Sequence, residues 1–375
     1  MEGLGRRAYS SWPPLGFTRT TGPIVSSMAI EINDDTGDRA RDQRASAGEG
    51  GSAAAMTRAA DGVWEVRGHA AVTRAAHDPQ RFSSRVSAHL QLPNGLDGAE
   101  HAEFRALVDR YLTPDRVRRL EPMLRTVVRE LVGELFSFEG PDAGNPVAID
   151  AVVDLGAPFA VRAQTRWLGW PATLEPRLLA WMADNYAAAR SAGTDQKAEV
   201  AHRFDEIIRS VIGPRRAAGD GAPDDVTTEL IRDESLGRPL HDDELVSILR
   251  NWTGGDLGSI ALCVGVIVHF LATHPELQDR IRSGVGPTEL GAIVDEILRL
   301  DDPFVASRRI TTCPVELDGV RLAAGERLRL SWTAANLDAE AFTDPAGFDP
   351  AGHAAGNLVY GTGPHVCPGR ALATA

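Results

Sequence analysis

One stretch constrains this chain more than any other: Tyr360-Gly361-Thr362-Gly363-Pro364-His365-Val366-Cys367-Pro368-Gly369-Arg370-Ala371-Leu372-Ala373, in which a lone cysteine sits among three glycines. Glycine reaches positive φ and has no side chain, so a backbone of this kind can lie flat against a planar ligand. Its amides can point at the sulfur, and Ala371 to Ala373 opens a helix whose positive end also favours a thiolate. The alternative is a buried structural cysteine in a glycine-rich turn. Cys263 and Cys313, the other cysteines, form no CxxC pair with Cys367 or with each other, so a disulfide framework is not expected.

The stretch resembles the haem-binding signature of the cytochrome P450 family, FGxGxHxCxGxxLA, with Tyr360 in place of the phenylalanine. The resemblance implies that Cys367 is the axial thiolate ligand to the iron of haem b (iron protoporphyrin IX), with His365 and Gly369 as further cofactor contacts. It also implies a mainly α fold, a single triangular helical domain with small β-sheets. Three more motifs follow in family order. Glu296 and Arg299 stand at i, i+3 and share a helix face; they resemble the family's ExxR pair, which braces the core beside the thiolate loop. The usual third partner of that brace is an arginine in the loop beginning Phe348-Asp349-Pro350, and here Gly352 or His353 stands there. His101 and Arg105, at i, i+4, can reach one anionic group or be two solvated surface residues. They look like the family's HxxxR helix, whose side chains bind haem propionates. Arg308 resembles the other propionate arginine, and Asn357 sits where a further histidine is common.

The run Asn251-Trp252-Thr253-Gly254-Gly255-Asp256-Leu257-Gly258-Ser259 departs from the family. A helix carrying Gly254, Gly255, Gly258 and Gly265 loses roughly 1 kcal/mol per glycine relative to alanine. Either something flat packs against it, or it is locally opened, or it packs closely on other helices. The resemblance makes Gly255 a cofactor contact and expects an acid–alcohol pair that guides protons to dioxygen. One register puts Leu257 and Gly258 at those positions, and the other puts Gly258 and Ser259 there. No carboxylate falls at the acid position in either, which leaves Ser259 and the neighbouring Asp256 as candidate proton-relay residues. The haem is expected between this helix and the Cys367 loop.

The wider sequence sets bounds. Its 375 residues are 43% hydrophobic and 24% charged, as in globular proteins with a large core. Net charge is −13, without a dense lysine and arginine run, so nucleic acid is not an expected partner. Residues 1–57 lack periodicity and are expected to be a disordered extension. Residues 58–375 are expected to form the cytochrome P450 domain, truncated after the haem-ligand loop by comparison with the family. Leu257 to Ala272 is too short to span a bilayer and reads as a buried helix, so the expectation is a cytoplasmic protein without membrane contact. Helical spacing predicts helices over 99–111, 114–136, 157–168, 174–190, 198–216, 224–233 and 242–272. Strands are predicted at 63–66, 315–317, 320–322 and 327–332.

The resemblance implies a monooxygenase that inserts one oxygen atom from O2 into a small apolar organic substrate. Electrons would come from a ferredoxin or flavodoxin with its reductase, because no GxGxxG dinucleotide fingerprint occurs. Two alternatives remain open: a peroxide-driven peroxygenase, and a haem-binding sensor or degenerate relative without turnover. The segments expected to line a pocket offer Leu90, Leu92, Phe304 and Val305, which specify no ligand class.

Overall fold

Pro114 opens a helix that runs to Phe136, since its fixed φ suits a helix start and its missing N–H costs nothing there. The computed structural model describes residues 17–21, 28–32, 55–87, 89–136, 149–190 and 194–375. In chain order the elements are strands β1 (Phe17–Thr21), β2 (Met28–Ile32), β3 (Met56–Arg58) and β4 (Trp64–Val66), helix α1 (His69–His77), strand β5 (Phe82–Ser83) and helix α2 (Gly98–Asp109). Helices α3 (Pro114–Phe136), α4 (Ala157–Leu168), α5 (Glu175–Arg190), α6 (Thr194–Ala218), α7 (Val226–Ile231), α8 (Asp242–Thr273), α9 (Pro275–Arg282) and α10 (Pro287–Leu300) follow. Strands β6 (Ala306–Thr311), β7 (Val315–Leu317), β8 (Val320–Leu322) and β9 (Arg327–Ser331) precede helices α11 (Trp332–Asn336) and α12 (Arg370–Ala373). Within the segment expected to be disordered, β1 and β2 pair antiparallel; the rest of residues 1–54 lies outside the described residues.

The chain divides into two compact units. One is built on residues 113–265 and is helical. Its core includes Val127, Leu131, Leu168, Met182, Ile207, Ile208, Ile248 and Leu249, all buried. Trp181 stacks on Phe204 with ring centroids 3.9 Å apart, joining α5 to α6. Trp170 donates from its indole to the Thr227 hydroxyl at 2.9 Å, which satisfies a buried donor. The π-helical turn Ala151–Gly156 presses on α8: a Cβ at Gly156 would meet the Ala261 carbonyl at 2.5 Å, and one at Gly265 would meet Val152 at 2.5 Å.

The expected burial of Leu257 to Ala272 is met on one stripe only. Leu257, Ala261 and Gly265, four residues apart, are buried, while just 17% of the most apolar window of α8 is. The reason is that the π-helical turn covers one side of the helix. With 32 residues, α8 is long and apolar enough by length and composition to cross a membrane.

The second unit takes residues 55–112 and 266–374. Its five-stranded sheet has the order β3-β4-β9-β6-β5, with β4 parallel to β9 and the other pairs antiparallel. Strands β7 and β8 form a hairpin whose turn, Asp318 and Gly319, has φ of 49° and 76°, the positive values that a two-residue hairpin loop requires. A core of Val66, Val72, Ala75, Phe82, Leu328, Leu330 and Trp332 joins this sheet to α1 and α11.

Candidate functional site

Cys367 lies in the second unit, in a loop that begins after Leu358. Gly361 and Gly363 take φ of 69° and 75°, which side-chain-bearing residues rarely adopt, and a Cβ at Gly363 would run into the Ala76 carbonyl at 2.5 Å. The Cys367 amide donates to the Tyr360 carbonyl at 2.9 Å and closes the loop. Sγ lies 3.8 Å from where a Cβ on Gly369 would be, an ordinary van der Waals distance, just where α12 begins. Arg370 stacks over the Tyr360 ring at 5.0 Å and pairs with Asp295 at 2.6 Å.

Several predicted cationic residues gather on this loop. The Arg105 guanidinium donates to the carbonyls of Val366 (2.7 Å) and Pro364 (3.1 Å) and also pairs with Asp109. The His101 ring sits 4.1 Å from the His365 ring. Burial, then the charges of His365 and Arg105, push His101 down to about 4, so it is neutral at pH 7 in this arrangement. Arg308, on β6, is exposed, and among the described residues its guanidinium has no hydrogen-bond or ion-pair partner. Two neighbours of His365 carry no motif of their own in the sequence. Its Nε2 lies 3.1 Å from the Ser84 hydroxyl and 3.5 Å from Asp97, and Asp97 also accepts from the Ser83 hydroxyl and the Ser84 amide. Asp97 immediately precedes α2, four residues before His101, and that placement is the only signal the sequence carried.

The Glu296 brace is complete. Arg299 is fully buried and all five of its N–H donors have acceptors: Glu296 takes two, at 2.7 and 2.9 Å, and the carbonyls of Asn336, Pro345 and Gly347 take the rest. His353, not Gly352, is the third partner. Its Nδ1 lies 2.7 Å from Glu296 Oε1 and its Nε2 lies 2.8 Å from the Thr343 carbonyl. Carboxylate and carbonyl oxygens only accept, so both ring nitrogens carry protons and the ring is an imidazolium. Burial works against that charge, but the bonds to Glu296 and Thr343 outweigh it and raise the His353 pKa. Asn357 turns elsewhere and donates to the Asp295 carbonyl.

In the first unit the glycines of α8 do different jobs. A Cβ on Gly254 would meet Phe204 at 2.8 Å, and one on Gly258 would meet the Tyr186 hydroxyl at 3.4 Å, whereas one on Gly255 would meet nothing within 4 Å. Close helix packing therefore accounts for Gly254 and Gly265, and open space remains beside Gly255. The Ser259 hydroxyl donates to the carbonyls of Gly255 and Asp256, at 3.1 and 3.0 Å. Asp256 turns toward α4 and accepts from Gln164 at 3.3 Å; burial raises its carboxyl to about 7, against that hydrogen bond.

A flattened loop offering one sulfur, with the Arg105 cation and the His101 and His365 rings on it, suits a planar ligand that needs a thiolate for its metal and polar partners for its carboxylates. These residues fit a haem. A family model, Cytochrome P450, matches residues 288–375. The chain is 28% identical to cyclomarin C epoxidase CymV of Salinispora arenicola over 324 residues, 83% of this chain and 80% of that protein. It is 29% identical to the erythromycin C-12 hydroxylase of Saccharopolyspora erythraea over 326 residues, 83% and 78% of the two. The solved structure of a P450 EryK mutant in complex with erythromycin B superposes with a TM-score of 0.76 at 26% identity, covering 91% of this chain and 86% of that one. The family-model match, the relatives and the fold all support a member of the cytochrome P450 family, the haem-dependent monooxygenases.

Proposed function

We propose that Cys367 is the axial ligand to the iron of haem b, that His101, Arg105, Arg308 and His365 serve its propionates, and that the substrate is a small apolar organic molecule. When bound, the haem activates dioxygen, and a thiolate ligand favours cleavage of the O–O bond. The overall reaction balances as RH + O2 + 2 e⁻ + 2 H⁺ → ROH + H2O. The chain's own residues hold and orient. The Tyr360 carbonyl and the glycine turns fix the direction of the Cys367 sulfur, and the Glu296 brace fixes the loop that leads into it. The arginines offset buried negative charge, which unpaired would cost several kcal/mol. Gly255 leaves room beside α8, and Ser259 keeps a hydroxyl there. Leu90, Phe304 and Val305 are exposed, as apolar substrate contacts would be. Electrons come from a ferredoxin or flavodoxin with its reductase, and the setting is cytoplasmic.

The observation that carries this reading is the lone cysteine in a loop flattened by positive-φ glycines, with Arg105 and His365 on the same loop. Reduced protein exposed to carbon monoxide should show the red-shifted Soret band of thiolate-ligated haem, and Cys367→Ala should lose it while Cys263→Ala and Cys313→Ala keep it. An unchanged band in Cys367→Ala sinks the assignment. A peroxygenase is the second reading, favoured by the turning of Asp256 away to Gln164. Turnover with peroxide but with no electron donor would select it.

A further inference from the structure

Each turnover in the balance above consumes two protons, so the chain must carry protons to a site that also excludes bulk water. Gly255, Gly258 and Ser259 stand at i, i+3 and i+4 and share one face of α8. Asp256 points about 100° away and is engaged by Gln164. Position 258 has no side chain, yet the space in front of it is not empty. The Tyr186 hydroxyl, from α5, donates to the Gly258 carbonyl at 3.0 Å and lies 3.4 Å from where a Cβ at 258 would be, with the ring carbon that bears it at 3.8 Å.

We propose that Tyr186 takes the place of a side chain on α8, its hydroxyl oxygen and that of Ser259 forming the pair that holds the water through which protons are handed to dioxygen. The inference rests on the monooxygenase reading. Tyr186 works through ordered water and the α8 carbonyls, so it is a positioning residue for proton delivery. The phenol keeps its own proton on the Gly258 carbonyl, and its oxygen accepts from a water that it holds in place for the relay, which leaves its own protonation unchanged. Burial supports this role, because it raises the phenol above its ordinary value and keeps the proton in place. A hydroxyl held by a carbonyl is also already aimed, whereas a flexible acid would have to be ordered first.

The test uses the holoprotein, with a plant-type ferredoxin and its reductase as electron source and dioxygen itself as the probe. Without substrate, dioxygen leaves as peroxide (O2 + 2 e⁻ + 2 H⁺ → H2O2) or as water (O2 + 4 e⁻ + 4 H⁺ → 2 H2O), and the second route needs two more delivered protons and two more electrons per dioxygen. Tyr186→Phe should raise the ratio of peroxide to water by about tenfold, less than loss of a whole relay because Ser259 remains. The solvent deuterium effect on reductant consumption should change with it. The carbon monoxide band and imidazole affinity should stay as in the parent, which separates this role from a structural one. A second readout needs no turnover. With 3-fluorotyrosine in the protein, the fluorine resonance that disappears in Tyr186→Phe should shift in Gly258→Ala, whose new methyl group crowds the phenol. An unchanged product ratio and isotope effect in Tyr186→Phe, or an unmoved resonance in Gly258→Ala, overturns the inference while leaving the monooxygenase reading intact. A parent protein that consumes no reductant at all overturns both.

Discussion

Around Glu296 and Arg299, every guanidinium donor has an acceptor, whereas along α8, side chains are withheld at Gly254, Gly255, Gly258 and Gly265. The first region gains its rigidity from satisfied polar groups in a buried core, where losing one partner is severe. The second gains shape from absent atoms, where the effect of adding one depends on what stands opposite. The comparison says where this protein tolerates change: not where charge is buried, but where space is open.

The most damaging substitution should be Glu296→Ala. It strands the Arg299 charge in a fully buried site and removes the acceptor for the Asp349 amide and for His353, a loss of about 3–5 kcal/mol. Thermal unfolding followed by circular dichroism should show a large drop in Tm, with little holoprotein recovered. A Tm within a few degrees of the parent would mean that the brace is not the anchor its geometry indicates.

His353 sharpens the same comparison, because it makes the brace titratable where an arginine would not. Its pKa is raised in the folded protein, so its contribution is complete below the ordinary histidine value of 6.5 and is lost as pH rises through the raised value. Burial works to raise Glu296, but Arg299, His353 and the Asp349 amide hold it below 4.5, so its contribution is lost as pH falls through the lowered value. The brace is therefore strongest between about pH 4.5 and 6.5, and it weakens on both sides. His353→Ala should cost about 1.5–3 kcal/mol near pH 6. The penalty should shrink at alkaline pH, where the parent has itself lost the imidazolium. Equal penalties at pH 6 and pH 9 would show that the ring does not titrate between those values.

The two regions also differ in how much of them the sequence discloses. Helices such as Pro114–Phe136 and Ala157–Leu168 were legible because one apolar stripe repeats along each, and the Val315–Leu322 hairpin was legible because Asp318-Gly319 dictates its turn. Strand Ala306–Thr311 was not, since its inward position is filled by the buried Arg309, which reverses the usual alternation. At the site, the spacing around Cys367 and the Glu296–Arg299 pair were readable because the chemistry fixes residue types in sequence. Ser84 and Tyr186 were not. One comes from an irregular loop, and the other matters only because α5 brings a phenol up to a glycine that carries nothing.

Adjacent glycines on α8 supply the smallest and most discriminating prediction. Gly254→Ala forces a methyl group to within 2.8 Å of Phe204, a ring already stacked on Trp181, so one of them must move and stability should fall by about 1–3 kcal/mol. Gly255→Ala meets nothing within 4 Å in the same helix, and alanine's higher helix propensity should raise stability by about 0.5–1 kcal/mol. Differential scanning calorimetry of the haem-free protein should then move Tm down for the first and up for the second. If the open space beside Gly255 is kept for the cofactor, Gly255→Ala will also weaken haem retention on gel filtration even as it stabilises the haem-free chain. Opposite signs in those two measurements would tie that glycine to the cofactor rather than to folding. A stabilised protein that keeps its haem fully would remove Gly255 from the site and leave Ser259 and Tyr186 as the residues of α8 and α5 that the chemistry needs.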